Sequence, residues 1–258
     1  MTDSYEVFKT KVFELTKIDL NAYKERQMKR RIDSLITKHK ITTYIDYIQV
    51  LKSNRVMFDE FVNYLTINVS EFYRNPEQWN LLEKEILPQL LLHSSTLRIW
   101  SAACSTGDEP YSLVMLLAKF MPLDKIKVIA TDIDKQVLDK AQMGLYNVKS
   151  LKGLPTEFIM KYFTAVSDTT YQISDSVKKC VEFREHNLLK DTYPSNMDLI
   201  VCRNVLIYFT EEAKNEIYKK FNSSLRKDGV LFVGSTEQII QPQSLNFSTL
   251  KSFFYIKK

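Results

Sequence analysis

Cysteine is scarce: Cys104, Cys180 and Cys202 are the only three in 258 residues. Three thiols cannot build a disulfide framework, and two of them sit in or beside apolar runs, where a thiol packs as a small hydrophobe. A reduced, cytoplasmic setting is expected. Histidine is equally sparse, and His39, His93 and His186 fit no metal-ligand spacing, so no metal site is expected. Five glycines and seven prolines exclude a collagen-like or low-complexity chain, and 45% apolar residues exclude a disordered one. No run approaches the roughly 20 apolar residues that span a bilayer. The start, MTDSYEVFKTKVF, carries early acids and no apolar core, so a signal peptide is not expected and neither is direct membrane insertion. A Gly-Lys-Ser/Thr phosphate loop, a glycine-rich dinucleotide fingerprint and a nucleophile elbow are all missing. What remains is a globular chain long enough for one large domain or two unequal ones.

Net charge is also absent outside one place. The net charge is +5, and residues 20–40 alone hold Lys24, Arg26, Lys29, Arg30, Arg31, Lys38 and Lys40 against Glu25 and Asp33. That local excess equals the excess of the whole chain, so one patch needs an explanation. Met28, Ile32, Leu35 and Ile36 form an apolar helical stripe here. At 100° per residue Arg26 and Arg30 point away from the stripe, while Lys29 and Arg31 flank it.

The pattern divides the chain. Residues 1–75 read as a small helical bundle and 76–92 as a connecting helix, with no glycine among them. Residues 93–258 read as an α/β domain, because strand-like runs at 97–104, 125–130, 181–183 (the weakest), 198–202 and 230–233 alternate with helical stretches. The alternation breaks between Gly144 and Val181. Short runs at 162–166, 169–173 and 176–180 suggest an antiparallel β-subdomain, inserted over residues 155–181.

Chemistry gathers where strands end. Ala102-Ala103-Cys104-Ser105-Thr106-Gly107 turns a strand into a helix through small residues and lets backbone approach a ligand. Asp132 follows the second strand at the position from which an acid accepts hydrogen bonds from a ribose diol, and Asp134 suits the cap of the next helix. Together they point to a nucleoside ligand without a pyrophosphate, a description that S-adenosylmethionine fits. Asp108-Glu109 suits a helix dipole, and Glu109 could also face a cationic cofactor group. Arg203-Asn204 closes the fourth strand at the carboxyl edge of the sheet, with Tyr208 soon after.

Trp100-Ser101-Ala102-Ala103-Cys104-Ser105-Thr106-Gly107-Asp108-Glu109-Pro110-Tyr111-Ser112, Ala130-Thr131-Asp132-Ile133-Asp134 and Cys202-Arg203-Asn204-Val205-Leu206-Ile207-Tyr208-Phe209 closely resemble the CheR-type chemotaxis receptor methyltransferases. Asn68-Val69-Ser70-Glu71-Phe72-Tyr73-Arg74, Asn187-Leu188-Leu189 and Gly234-Ser235-Thr236-Glu237 extend the resemblance, in order, over essentially the full chain. It implies an all-helical N-terminal domain, a Rossmann-like methyltransferase domain and the small antiparallel insertion. It implies methyl transfer from S-adenosylmethionine to glutamate side chains of chemoreceptors, leaving S-adenosylhomocysteine. By motif, the cofactor would meet Asn68, Ser70, Arg74, Ala103, Glu109, Asp132, Asn187, Leu188, Arg203 and Asn204. Arg203 and Tyr208 would stand near the acceptor as catalytic residues. Where many relatives carry threonine and Phe-Phe-Arg, this chain has Ser70 and Phe72-Tyr73-Arg74. Some relatives dock a receptor-tail peptide with a glycine-containing loop, whereas Val166–Thr170 has no glycine, so direct recognition of receptor helices is expected here.

Arg26, Lys29, Arg30 and Arg31 are accordingly expected to bind the acidic cytoplasmic helices of the receptors. A cytoplasmic monomer recruited to membrane-bound receptor arrays is the expected form. A nucleic-acid methyltransferase and a non-catalytic S-adenosylmethionine sensor are the alternatives. The first lacks the Asn/Asp-Pro-Pro-Tyr run after the fourth strand as well as basic-aromatic interleaving. The second would have no need of a substrate-sized opening beside Arg203.

Overall fold

Four amphipathic helices fill the N-terminal quarter of the chain: α1 (Tyr5–Thr16), α2 (Glu25–Lys38), α3 (Tyr44–Ser53) and α4 (Arg55–Thr66). The computed structural model describes residues 4–92 and 94–258, so His93 lies outside the described residues. Side-chain caps start two of these helices: Thr43 accepts from the Asp46 amide and Asn54 from the Met57 amide. Their inner faces bury Phe8, Val12, Met28, Ile32, Tyr47 and Phe61, each at most 3% exposed. Residues Leu206–Glu216 return to this helical unit, which otherwise comprises Met1–Asn68. Their anchor is a bridge between Tyr23 and Phe209, whose rings stack with centroids 4.6 Å apart.

The second unit holds Val69–Val205 and Ile217–Lys258. Residues 69–75, expected with the helical bundle, belong to it because of their aromatics. Phe72 and Tyr73 are buried; Phe72 meets Tyr146 and Phe163 edge-on, and Tyr73 stacks on Trp79 at 4.9 Å. Gly153 lets this segment lie close, since a Cβ there would sit 2.8 Å from the Phe72 carbonyl oxygen. A nearly continuous helical stretch follows, α5 (Pro76–Leu81), a π-turn over Leu82–Ile86 and α6 (Leu87–Leu91).

The main sheet begins with β1 (Ile99–Ala102) and β2 (Val128–Asp132), joined by α7 (Asp108–Leu117). After α8 (Lys135–Met143) come β3 (Leu145–Asn147), α9 (Thr156–Tyr162), β4 (Phe163–Ser167), β5 (Thr170–Ile173) and α10 (Asp175–Lys178). Then follow β6 (Val181–Glu185), β7 (Met197–Cys202), α11 (Glu211–Ser224), β8 (Leu225–Val233), β9 (Phe247–Lys251) and β10 (Phe254–Lys257). Seven strands form one sheet in the order β6-β2-β1-β7-β8-β10-β9, and β3-β5-β4 form a second. Strands β6 to β8 of the larger sheet pair in parallel, and all six residues of β7 are buried, as a central parallel strand requires.

Two segments differ from the sequence reading. Residues 176–180, read as extended, fall largely in α10, whose turn is closed by the Lys178 amide on the Ser174 carbonyl at 3.1 Å and the Lys179 amide on the Asp175 carbonyl at 3.0 Å. The third strand of the small sheet is instead β3, ahead of the expected insertion. The last apolar stretch, residues 247–256, reads from the sequence as a single strand but folds back at Ser252-Phe253 into two antiparallel strands. Phe253 takes a left-handed φ of 70° to do so.

Candidate active site

Strand order reverses between β1 and β7, and ligands of open α/β sheets bind in the crevice beyond such a point. There the chain places Glu109 at the start of α7 and Arg203 just after β7. Glu109 Oε2 lies 3.7 Å from Arg203 Nη1, and Ser101 Oγ donates to Glu109 Oε1 at 2.8 Å. Burial pushes the Glu109 carboxyl up to about 7, against the pull of Arg203 and the Ser101 hydroxyl.

One end of the Arg203 guanidinium is held by three acceptors. Its Nη2 donates to the Arg74 carbonyl at 2.7 Å, to Gln78 Oε1 at 2.7 Å and to Asn75 Oδ1 at 3.2 Å. Its guanidinium lies over the Phe232 ring at 4.7 Å and near Trp79 at 5.7 Å. It therefore clamps the 74–78 segment onto the end of β7. Gln78, 6% exposed, passes the network on to Ser235 at 3.1 Å. Neither Gln78 nor Asn75 stands out in the sequence, since only the fold buries an amide beside a guanidinium. Pro76 at the start of α5 is the single local signal, for it fixes where the helix carrying Gln78 begins.

The loop after β1 is built on unusual backbone. Ala103, Ser105 and Gly107 all have positive φ, at 62°, 49° and 88°. For the two non-glycine residues that costs about 1–2 kcal/mol each. Asp132 opposes the cost: Oδ2 accepts the Ser105 amide at 2.8 Å and Oδ1 the Asp134 amide at 3.0 Å. Burial raises the Asp132 carboxyl to about 6, against these donors. Gly107 is required by packing, because a Cβ would lie 2.9 Å from that of Ala141. Asp134 caps α8 by accepting the Gln136 amide. Asp108, 1% exposed, accepts from the Thr106 hydroxyl at 2.5 Å and from Ser70.

The remaining expected site residues sort by unit. The His186 amide donates to the Asp132 carbonyl at 2.8 Å, which brings the Asn187-Leu188 turn beside β2. Asn187 Oδ1 accepts the Leu189 amide at 2.9 Å, and Leu188 is buried. Asn204 follows Arg203 with φ 62°. The Arg74 side chain folds back on its own segment, 3.4 Å from the Val69 carbonyl and 3.9 Å from Glu71. Asn68 and Tyr208 belong to the helical unit. Asn68 donates to Thr66 Oγ1 at 2.8 Å, and the Tyr208 carbonyl accepts the Lys24 amide at 2.9 Å, against the start of α2.

On α2 the four expected receptor-binding cations also divide. Arg31 donates to the Tyr64 carbonyl at 2.7 Å and lies over its ring at 4.5 Å. Lys29 pairs with Asp33 at 3.3 Å. Arg26 and Arg30 are exposed.

Two independent family models cover the chain. One, the CheR methyltransferase all-alpha domain, matches residues 3–66, and the other, the CheR methyltransferase SAM binding domain, matches residues 68–255. The chain belongs to the CheR methyltransferase family. It is 47% identical over 241 residues to the chemotaxis protein methyltransferase of Listeria monocytogenes, covering 93% of this chain and 92% of that one. It is also 32% identical over 255 residues to the chemotaxis protein methyltransferase of Escherichia coli, covering 95% of this chain and 85% of that one. This CheR chain thus unites an all-helical domain with a Rossmann-like fold for S-adenosylmethionine and a small β-subdomain. Its residues fit that cofactor: Glu109 and Asp132 are buried acids suited to a cation and a diol. The Ser105 hydroxyl and Arg203 Nε are buried polar atoms without a protein partner.

Proposed function

We propose that this protein transfers the methyl group of S-adenosylmethionine to glutamate side chains on the cytoplasmic helices of chemoreceptors. The observation that carries the reading is the match to both CheR domains, in order, along almost the whole chain. When bound, S-adenosylmethionine supplies an electrophilic sulfonium methyl. Asp132 would hold the ribose, Asn187 and Leu188 would flank the adenine, and Glu109 would face a cationic group. Ser70, Arg74 and Asn68 would complete the contacts from the linker, with Ala103 and Asn204 at the loop edges.

The acceptor carboxylate is already ionised near neutral pH, so the site needs no base to deprotonate it. Alignment is what the chain can contribute. We assign Arg203 the role of a clamp that fixes the 74–78 segment and Glu109, and Tyr208 that of orienting the acceptor. Tyr208 suits this task because its backbone is tied to the start of α2, where Arg26 and Arg30 would receive an acidic receptor helix. Opposite charge speeds such encounters and sets their orientation. The protein would act as a cytoplasmic monomer recruited to receptor arrays. Among the described residues no helix is long and apolar enough to cross a membrane.

Incubation with labelled S-adenosylmethionine and a soluble receptor cytoplasmic fragment tests the reading. Label on the receptor that mild alkali releases as methanol is the expected result, as for a methyl ester. Alkali-stable label, or label on added nucleic acid alone, would overturn it.

A further inference from the structure

Strands β7 and β8 stay in parallel register up to the pair Cys202 and Val233. Past that rung the backbone ladder offers no acceptor to the next amides, yet two of them are bonded to a single side-chain oxygen. Glu237 Oε2 accepts from Asn204 N at 2.5 Å and from Gly234 N at 2.9 Å. The carboxylate thus extends the ladder beyond its last backbone pair. Glu237 is 4% exposed, and its own amide closes a turn onto the Gly234 carbonyl at 3.0 Å. Its carbonyl accepts from the Tyr218 hydroxyl at 3.1 Å.

Both partners are shaped for this contact. Asn204 adopts a left-handed φ of 62°, which turns the chain away from the line of β7 just after the bonded amide. Gly234 leaves room for the oxygen: a Cβ there would run into Glu237 Oε2 and lie 2.9 Å from Asn204 N. A buried carboxylate is retained only where its hydrogen bonds exceed its desolvation. The turn it holds carries Arg203, whose guanidinium in turn clamps Arg74, Asn75 and Gln78.

We propose that Glu237 is a positioning residue of the methyl transfer, its carboxylate fixing the Arg203-Asn204 turn at the reacting edge of the sheet. The inference rests on the function proposed above and gives the Gly-Ser-Thr-Glu run a task. The negative charge of Glu237 also acts on Glu109 and Arg203, so two acids face one guanidinium at this edge.

Three variants of the full chain test it: Glu237→Gln, Gly234→Ala and Glu237→Asp. The first keeps the shape and removes the charge-assisted acceptor, while the second keeps the acid and displaces it. Kinetics on a receptor cytoplasmic fragment, direct titration with S-adenosylmethionine and thermal melting are read together. Glu237→Gln and Gly234→Ala should each lower kcat at least about tenfold while leaving the receptor KM within about threefold. Glu237→Asp, with the carboxylate on a shorter arm, should retain more kcat than Glu237→Gln. Should either of the first two fail to fold, Glu237→Asp decides against wild type: a lowered kcat with the receptor KM within about threefold supports the inference, and a wild-type kcat overturns it. A lowered melting point with unchanged kcat in the folded variants would make Glu237 merely structural and overturn the inference. Absence of transfer by the wild-type chain would instead defeat the functional reading itself.

Discussion

Arginine stands at two contrasting places in this molecule, and they differ in where the charge goes. At the end of β7 the Arg203 side chain is 2% exposed and its Nη2 serves three acceptors within 3.2 Å. On α2, Arg26 and Arg30 lie in the open, without an ion-pair partner among the described residues. Charge committed inside a protein fixes geometry, whereas charge left outside is available to a partner. Arg31, one residue from Arg30, falls on the inner side of that divide through its contacts with Tyr64.

The largest effect should come from the committed side. Arg203→Ala removes the cation beside Glu109 and strips the acceptors of the 74–78 segment. A loss of about 3 kcal/mol in stability is expected by urea denaturation, with methyl transfer to receptor fragments falling at least about a hundredfold. A stable variant that still methylates would show that the clamp is dispensable.

Acidity sharpens the same comparison from within the site. Glu109 titrates at about 7 in the folded chain, above its unfolded value of 4.5, so folding takes up a proton between those values. Its contribution to stability is therefore full at low pH and is lost as pH rises through about 7. The ionised form, which suits a cationic ligand, grows over the same range. Calorimetric titration should find S-adenosylmethionine binding tightening roughly tenfold between about pH 6 and about pH 8. Glu109→Gln should flatten that rise, leaving only the lower-pH contribution of Asp132, whose carboxyl titrates at about 6.

On the available side the effects are smaller and of another kind. The double substitution Arg26→Glu with Arg30→Glu should raise the receptor KM about five- to tenfold and make it less sensitive to salt. Cofactor affinity and melting temperature should stay where they are. Smaller still, Arg31→Ala should cost about 1 kcal/mol of stability through its lost ring and carbonyl contacts. Arg30→Ala should leave stability alone and raise KM only two- to threefold. Equal behaviour of these neighbours, in melting and in kinetics, would erase the distinction.

Much of the architecture is written in local pattern. The runs at β1, β2 and β7 are apolar enough to read as buried strands, and Asp132, Glu109 and Arg203-Asn204 stand out because each follows such a run. The stripe of Met28, Ile32, Leu35 and Ile36 likewise foretells which α2 residues are buried. Residues 176–180 misled because four-residue helices carry almost no periodicity, and α10 is defined by backbone bonds such as that from the Lys179 amide to the Asp175 carbonyl. The site partners Asn75, Gln78 and Ser101 were invisible for a different reason. Their burial is created by segments distant in sequence, and an amide or hydroxyl has no pattern of its own.

Mapping the acceptor residue tests the central claim most directly. The purified chain, S-adenosylmethionine and a receptor cytoplasmic fragment would be incubated and the modified peptides sequenced by mass spectrometry. Single methyl additions on glutamate side chains are predicted, at sites lost on brief alkaline treatment. Methyl groups confined to lysine, arginine or the peptide termini would contradict the account, as would an unmodified fragment under conditions where the chain binds S-adenosylmethionine.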